Sequence, residues 1–498
     1  MIKYVLAIDQ STQGTKALLF DDRGNLAARK DKSHRQIVND RGWVEHDPVE
    51  ILQNTLAVCR EVATEARILP EQICALGISN QRETTMMWNR RTGEPLGNAI
   101  VWQCARAADV CARHQKEAET IQRKTGLPLS PYFPAAKLQW MMENIPQAAG
   151  LKEEGALAVG TMDTWLVYSL TREHAFKTDY SNASRTQLFN IETLQWDREL
   201  LSSFGIPKDA MAEVCMSDSV FGFTDLDGFL PEAIPICAVV GDSHGALFGQ
   251  NCRKPGQMKA TYGTGSSVMM NTGDCMVLSK EGLSTSLAWG RHGKIEYVLE
   301  GNLNYTGAVI SWLKDGAELI GSAKETEILA GEANPADRAY FVPAFTGLGA
   351  PYWDSEATGM LTGITRTTGK KEIVKACVEC IGYQITDLVR MMRKETQRPV
   401  EELRVDGGPT GNAYLMQFQS NMADAVVAVS AVQELSGMGA AYMAGITAGI
   451  YDEERIFEHL QRTMYTPQMD PDCRERKYEG WQQAVGRVLL RKIEMDAE

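Results

Sequence analysis

Two stretches of this chain share one pattern: an apolar strand, a polar turn that contains glycine, and a returning strand. In the first, residues 4–8 are apolar, the turn is Asp9–Lys16, and residues 17–20 return. In the second, residues 258–262 lead into Gly263–Ser267, and residues 268–271 return. Short apolar runs bounded by turn residues are typical of buried strands. The repeat therefore predicts two similar α/β domains that face one ligand.

The turn Asp9–Lys16 carries an acid, hydroxyl and amide side chains, a glycine and a lysine, so it does not belong to a core. Backbone N–H groups and the hydroxyl of Thr12, with Lys16 beside them, suit phosphate oxygens. Asp9, at the strand end, suits a divalent cation, bound directly or through water. The alternative is an ordinary polar hairpin turn, and this stretch alone leaves both interpretations open.

A third turn of this kind, Gly407–Asn412, follows the predicted strand 403–406. Glycines allow the backbone to approach phosphates or a purine ring closely. None of the three turns is a Walker motif or a Rossmann fingerprint, and each alone is weak evidence. Three of them at strand ends, in a chain long enough for two domains, favour a nucleotide site.

Length and composition limit the remaining possibilities. A chain of 498 residues exceeds what one hydrophobic core supports, which predicts at least two domains. The segment 251–256 breaks the apolar pattern, so the predicted domains are 1–250 and 251–498. The net charge of −13, with no basic run, argues against nucleic acid as a partner. No apolar segment approaches the roughly 20 residues that span a bilayer, so we expect no membrane insertion. The chain starts directly in a strand and its 11 cysteines are scattered, which predicts a cytoplasmic protein with reduced thiols.

Polar residues also follow two further apolar strands. Arg82 and Glu83 come after strand 73–79, and their paired polar groups suit the hydroxyls of a polyol, with Trp102 and Tyr132 as aromatic walls. A surface ion pair is the alternative interpretation. Asp242 follows strand 236–241 and is a candidate general base for a hydroxyl nucleophile, although a helix cap would also explain it.

Long motifs then extend the pattern over nearly the whole chain. They are Asp9-Gln10 with Thr12, 42–48, 80–85, 98–104, Asp179-Tyr180 with 182–186, 262–265, 345–354 and 404–408. In these motifs the sequence resembles the FGGY carbohydrate kinases, and among them the glycerol kinases. The resemblance implies two actin-like, ribonuclease-H-like α/β domains with ATP and Mg²⁺ in the cleft between them.

The resemblance also implies residue roles. Asp242 would be the catalytic base, and Asp9 and Asp242 would hold the metal. The positions that would bind the acceptor are Arg82, Glu83, Trp102, Tyr132, Asp242, Ser243 and Ser267. The positions that would bind the nucleotide are Thr12, Gln13, Gly14, Lys16, Thr264, Gly307, Ser311, Gly408 and Asn412. Lys16 replaces the usual arginine, which keeps the charge but loses the planar fork.

Several positions depart from the glycerol kinase pattern. Ser243 replaces a glutamine, Ser267 replaces a phenylalanine that packs on the acceptor, and Asn302 and Asn304 replace apolar residues. We therefore expect a larger and more polar pocket, whose new hydroxyls need partners. The predicted acceptor is a small polyol, with glycerol first and a tetritol, pentitol, xylulose or ribulose as the alternative. The segment 225–229 lacks the Gly-Gly-Thr-Arg run that some glycerol kinases use to bind fructose bisphosphate, so we expect no such inhibition.

We call Asp9–Lys16 the first phosphate turn and Gly263–Ser267 the second phosphate turn. Actin-like filament proteins and Hsp70-like chaperones also have such a repeated turn, and they hydrolyse ATP without a small-molecule acceptor. Arg82, Glu83, Trp102 and Asp242 distinguish this chain, because such ATPases have no reason to carry them. The predicted partner is one small molecule, and the sequence leaves open whether copies of the same chain also assemble with each other.

Overall fold

The computed structural model describes residues 2–354 and 356–495. The first half of the chain builds a six-stranded mixed sheet. In spatial order its strands are Gly222–Thr224, Ile234–Gly241, Ile73–Asn80, Tyr4–Gln10, Gly14–Phe20 and Leu26–Ser33. The three central strands run parallel, so their carboxyl ends, which carry Asp242, Asn80 and Gln10, meet at one edge.

The second half builds a seven-stranded sheet around the second phosphate turn. In spatial order its strands are Ser284–Arg291, Lys294–Leu303, Ser266–Gly273, Met258–Tyr262, Glu402–Asp406, Val426–Ser430 and Arg462–Tyr465. Met258–Tyr262 pairs antiparallel with Ser266–Gly273 and parallel with Glu402–Asp406. The first sheet has the same arrangement around its own hairpin, so the two halves repeat one topology.

Smaller sheets and helices complete the fold. A five-stranded sheet contains Ile37–Val38, Val44–His46, Ala99–Ile100, Thr85–Asn89 and Leu157–Thr161. Three strand pairs are Lys177–Asp179 with Glu213–Cys215, Phe189–Asn190 with Gln195–Trp196, and Tyr340–Val342 with Met360–Thr362. The longer helices are Pro48–Glu65, Pro134–Asn144, Met162–Leu170, Asp242–Gly249, Lys370–Thr396, Ala413–Ala423, Leu435–Thr447 and Pro471–Met495. None of the described helices is long and apolar enough to cross a membrane.

One helix of the second half, Leu435–Thr447, packs on the sheet and on helix Asp242–Gly249 of the first half. The contact is close because glycines line it. A Cβ at Gly437 would lie 2.3 Å from Leu18 Cδ1, and a Cβ at Gly439 would lie 1.9 Å from the carbonyl oxygen of Gly245. The helix therefore carries its N-terminal residue, Glu434, to the first phosphate turn.

Most predicted elements form with small shifts. Helix Pro48–Glu65 begins as predicted, with the Asp47 carboxylate accepting from two backbone N–H groups. Helix Lys370–Thr396 buries Cys377 and Cys380 as free thiols on its packed face. The sequence pattern over 105–122 predicts one helix, and this prediction is wrong, because the chain breaks at His114 into two short helices, Ala108–Arg113 and Ala118–Thr125.

The second phosphate turn is shorter than predicted. Ser266 and Ser267 belong to the returning strand, where they pair with Leu303 and Asn302. Only Gly263, Thr264 and Gly265 remain in the turn. The reason is the neighbouring strand Lys294–Leu303, whose backbone provides hydrogen-bond partners as far as Ser266.

Candidate functional site

The first phosphate turn lies between paired strands and is held closed by its own backbone. Ser11 donates to the Gly14 carbonyl from its N–H (2.8 Å) and from its hydroxyl (2.9 Å). Gly14 is required here, because a Cβ would lie 2.5 Å from the Lys32 carbonyl oxygen. Thr12 is half-buried and Gln13 is exposed at the tip.

Asp9 and Lys16 are directly opposite each other in the antiparallel register. The Lys16 ammonium lies 3.6 Å from Asp9 Oδ2 and 2.7 Å from Glu434 Oε2. Burial raises the pKa of the Asp9 carboxyl to about 6, although Lys16 acts in the opposite direction. Burial alone would lower the pKa of Lys16, but Asp9 and Glu434 together raise it.

The remaining predicted nucleotide positions divide between two groups in the second half. Thr264 is exposed, and its carbonyl accepts from the N–H groups of Thr306 (2.9 Å) and Ala308 (3.1 Å), which joins it to Gly307 and the helix Gly307–Ser311. Gly307 approaches so closely that a Cβ would lie 2.7 Å from the Gly263 carbonyl oxygen. The first group therefore surrounds the second phosphate turn.

The second group begins at Gly407, where the backbone φ of +103° and a 2.0 Å approach of a Cβ to the Tyr262 carbonyl exclude any side chain. Gly408 follows it and is exposed. Asn412 caps helix Ala413–Ala423 through the Leu415 N–H (3.0 Å) and donates to Thr326 Oγ1 (3.0 Å). Both groups therefore lie at turns beside the strand Met258–Tyr262. The backbone of these turns is half-buried or exposed.

Arg82 joins the predicted acceptor residues to Asp242. Its Nε donates to Asp242 Oδ1 at 3.1 Å and its Nη2 donates to Ser243 Oγ at 3.2 Å. The Ser243 N–H also donates to Asp242 Oδ1, at 2.6 Å. Arg82 is buried, whereas the Asp242 side chain is 34% exposed. Among the described residues, no group hydrogen-bonds the other oxygen of Asp242, Oδ2.

A second arginine and two carboxylates complete this cluster. Arg185 Nε donates to Glu83 Oε1 at 2.6 Å, and Arg185 Nη1 lies 2.8 Å from Glu300 Oε2. Glu300 also accepts from both terminal nitrogens of Arg82, at 3.0 and 2.8 Å. Burial of Glu300 opposes its ionisation, but the two arginines hold its pKa well below the ordinary value.

Glu83 has a left-handed backbone conformation, with φ of +60°. For a residue with a side chain this costs roughly 1–2 kcal/mol, and the cost is often found at functional sites. The Thr84 N–H donates to the Arg82 carbonyl at 2.7 Å across this tight turn. The turn places the Arg82 and Glu83 side chains in the same cluster even though they are neighbours in sequence.

Trp102 and Tyr132 form the predicted aromatic wall, with ring centroids 5.3 Å apart. The buried Lys137 ammonium donates to the carbonyls of both residues, at 3.0 and 2.6 Å, and burial lowers its pKa to about 7. Trp102 Nε1 donates to Thr12 Oγ1 at 2.9 Å. This hydrogen bond links the wall to the first phosphate turn.

The serines that depart from the family pattern already have protein partners. Ser267 Oγ donates to Glu300 Oε1 at 3.0 Å, and the hydroxyls of Ser266 and Thr306 lie 2.6 Å apart. Ser243 Oγ accepts from Arg82. Each of these hydroxyls has at least one protein partner, so the polar groups by themselves do not require a longer acceptor.

Asp9 and Asp242 are the carboxylates that fit a divalent cation. They end two parallel strands separated by Ile73–Asn80, so the strand spacing places their backbones about 10 Å apart. Mg²⁺ keeps several waters and is held by one or two carboxylates together with phosphate oxygens. Among the described residues there is no compact group of three or more His, Cys, Asp or Glu side chains.

The sequence predictions missed three charged residues of this region: Arg185, Glu300 and Glu434. Glu300 carried a usable signal, because it is the one charged residue in the apolar run 297–301 and such a position needs a buried partner. Arg185 lies in a motif that the sequence analysis identified but did not interpret. Glu434 has no local signal, since its partners Lys16 and Arg29 lie more than 400 residues earlier.

Two halves that repeat one α/β topology, each with a glycine-containing turn beside a central strand, have the arrangement of a two-domain carbohydrate kinase. Residues 4–249 match the N-terminal domain of the FGGY family of carbohydrate kinases, and residues 258–448 match its C-terminal domain. The chain belongs to this family. It is therefore an enzyme that transfers a phosphoryl group to a hydroxyl group.

Within the family, its similar relatives include glycerol kinases. Glycerol kinase 2 of Thermotoga maritima is 46% identical over 98% of this chain and 99% of that protein. The glycerol kinase of Alkaliphilus oremlandii is 44% identical over 98% of each chain. The crystal structure of Plasmodium falciparum glycerol kinase with ADP is 34% identical, with a TM-score of 0.93 over 98% of each chain.

Proposed function

We propose that this protein is an ATP-dependent kinase that transfers the terminal phosphoryl group of ATP to a primary hydroxyl of glycerol, forming glycerol 3-phosphate. The glycerol kinases that are 44–46% identical over nearly the full length support glycerol as the acceptor. The ADP-bound structure of a 34% identical relative supports ATP as the donor. Two family domains with a phosphate turn in each agree with a nucleotide between them.

The observation that carries the proposal is the geometry of Asp242. One oxygen of this carboxylate is fixed by Arg82 and by the Ser243 N–H, while Oδ2 has no hydrogen-bond partner in the described residues and the side chain is partly exposed. A carboxylate held in this way can accept the proton of a hydroxyl group as it attacks phosphorus. Asp242 is thus the proposed general base.

The other residues bind and orient the substrates. Phosphoryl transfer requires positioning and neutralisation of charge more than covalent chemistry. The proposed phosphate contacts are Thr12, Gln13, Gly14 and Lys16 from the first turn and Thr264 from the second, with Gly307, Ser311, Gly408 and Asn412 around the nucleoside. Mg²⁺, held by Asp9 and Asp242 through oxygen ligands, would neutralise the phosphate charge. Closure of the cleft between the two sheets would exclude water from the reaction.

The charges of the acceptor site favour an uncharged acceptor. Two arginines, Arg82 and Arg185, are ion-paired with three carboxylates, Glu83, Glu300 and Asp242, so the carboxylates outnumber the guanidinium groups in this network. An anionic sugar acid would add a further negative charge at a site whose arginines are already paired. A neutral polyol adds only hydroxyls, which the Glu83 and Asp242 carboxylates can accept from.

A larger neutral acceptor, a tetritol, pentitol or ketopentose, is the second candidate. What favours it is the small side chain of Ser267 beside Glu300, which leaves more room than an aromatic ring would. The internal hydrogen bonds of Ser243 and Ser267 reduce the need for extra acceptor hydroxyls, and so favour glycerol as the first choice.

A coupled assay of ADP release tests the proposal. ATP and Mg²⁺ are supplied with glycerol, erythritol, xylitol, ribitol, xylulose, ribulose or gluconate, and with no acceptor. We expect the highest kcat/KM with glycerol and none with gluconate. A higher kcat/KM with a larger polyol or ketose would make that compound the acceptor in place of glycerol. A rate of ADP release that is the same with and without every acceptor would indicate an ATPase instead.

A further inference from the structure

Lys16 lies between two carboxylates, and it is not shared equally. Its ammonium is 2.7 Å from Glu434 Oε2 but 3.6 Å from Asp9 Oδ2. Only the first distance is that of a charge-assisted hydrogen bond. Glu434 is therefore the residue that sets where the ammonium lies, even though Asp9 is its strand partner.

Glu434 is itself firmly placed. It is 8% exposed, and its other oxygen, Oε1, accepts from Arg29 Nη1. Its backbone starts helix Leu435–Thr447, where its carbonyl accepts from the Met438 N–H at 2.9 Å. The glycine contacts of that helix with the first sheet leave little freedom for movement. The carboxylate thus approaches Lys16 from a rigid element that the hairpin itself does not contain.

We propose that Glu434 is a positioning residue for Lys16, holding the ammonium beside the first phosphate turn and too far from Asp9 for a direct hydrogen bond. The inference rests on the proposed function, in which Lys16 contacts the nucleotide phosphates. A lysine has a flexible stem and a single charged group, so it needs an external partner to fix its direction. Arg29 offsets the charge of Glu434, so that Lys16 keeps the capacity to bind a phosphate.

Without Glu434, the nearest anion for Lys16 is Asp9. If the Lys16 ammonium moved from 3.6 Å to hydrogen-bond distance of Asp9, it would withdraw from the phosphates and occupy an oxygen of the Asp9 carboxylate. Both effects weaken the binding of a nucleotide, and neither touches the acceptor cluster around Arg82. Loss of Glu434 should therefore lower the affinity for the nucleotide and leave the affinity for the acceptor unchanged.

The test is a double-mutant cycle read as the dissociation constant of ADP, measured by calorimetry in a metal chelator and again with Mg²⁺. The variants are Glu434→Gln, Lys16→Met and the double variant. In the wild-type background, Glu434→Gln should weaken ADP binding about tenfold, the scale of one charge-assisted contact. In the Lys16→Met background it should change ADP binding by less than about twofold.

A matched control is Glu453→Gln. Glu453 also joins distant segments, through Arg253 at 2.7 Å and Arg291 at 3.0 Å, but no residue of the phosphate turns is among its partners in the described structure. This variant should leave ADP binding unchanged. The KM for glycerol should stay within about twofold in Glu434→Gln while the KM for ATP rises, a split that general destabilisation does not produce.

Equal losses of affinity from Glu434→Gln in both backgrounds would overturn the inference, because Glu434 would then act only through the fold. Unchanged ADP binding in Glu434→Gln or in Lys16→Met would overturn it as well. Failure of the proposed function would give a different result: the wild-type protein would bind ADP but would form no ADP from ATP in the presence of any polyol.

Discussion

Arg82 and Glu300 form a buried two-point ion pair that joins the two halves of the chain. Arg82 Nη1 lies 3.0 Å from Glu300 Oε2, and Nη2 lies 2.8 Å from Oε1. Arg82 follows the central strand of the first sheet, and Glu300 lies on a strand of the second. Arg82 also donates to Asp242, the proposed base. Glu300 of the second half therefore orients this base indirectly, through Arg82.

Replacement of Glu300 by glutamine should therefore disturb the acceptor site from a distance. It leaves Arg82 and Arg185 buried without their shared counter-ion, and breaking such a pair costs about 3–5 kcal/mol of folding free energy. We expect a lower unfolding temperature and a KM for glycerol raised about tenfold or more. Glu296→Gln on the same strand, whose partner is Asn271, is the control and should leave the acceptor KM unchanged. An unaltered acceptor KM in Glu300→Gln would contradict this prediction.

Asp242→Asn should remove the general base while preserving the shape of the site. Loss of a positioned base costs roughly 10²–10⁴-fold in rate, so kcat should fall by about 10³. ADP binding by calorimetry should persist, because the phosphate turns are untouched. Ser243→Ala, which changes only the neighbour that shares Arg82, should lose much less activity. Near-normal kcat in Asp242→Asn would refute the assignment of the base.

Activity should depend on pH through Asp9. Burial raises the pKa of this carboxyl to about 6, so it is ionised at pH 7.5 and becomes protonated as the pH falls through 6. The neutral form no longer attracts Mg²⁺, so kcat/KM for ATP should fall between pH 7 and pH 5. Since the cation competes with the proton, more Mg²⁺ should move this limb to lower pH. A flat profile over that range at low Mg²⁺ would exclude the proposed role of Asp9.

Ser267→Phe should narrow the acceptor site. The ring would fill the space beside Glu300, where the serine hydroxyl now donates a hydrogen bond at 3.0 Å. Exclusion of one or more carbon units is worth about 1–3 kcal/mol, so selectivity for glycerol over four- and five-carbon polyols should rise at least several-fold. Ser266→Ala, whose partner is Thr306, is the control and should keep the wild-type ratio. An unchanged acceptor profile in Ser267→Phe would remove Ser267 from the determinants of specificity.

Gly437→Ala tests how tightly helix Leu435–Thr447 must pack. The added Cβ would lie 2.3 Å from Leu18 Cδ1 and 3.2 Å from Asp9 Cβ. Overpacking of this kind costs about 1–3 kcal/mol of folding free energy, and here it would also move Glu434. Thermal unfolding and ADP affinity should both decrease. Gly150→Ala, in a helix with nothing within 4 Å of the new Cβ, should keep or slightly raise stability. Equal stability of the two variants would show that the contact is not tight.

The sequence alone determined the local architecture and the class of chemistry. The hairpin around Asp9–Lys16, the cap at Asp47, the long helix Lys370–Thr396 and the strand before Asp242 all follow from patterns spanning fewer than about 30 residues. Such patterns are readable because hydrophobic periodicity, turn chemistry and capping act between near neighbours. The long motifs added the family, and with it the positions that are candidates for the site.

Only the tertiary structure decided how the charged groups are paired. Lys16 pairs with Glu434, which lies 418 residues later, and Arg82 pairs with Glu300, which lies 218 residues later. Folding brings these distant segments together. The same packing gives the Ser267 hydroxyl a protein partner, Glu300, so the polar pocket by itself does not require a longer acceptor. A buried charge must find a partner, but sequence periodicity does not specify which one, since the choice depends on the three-dimensional packing of both halves.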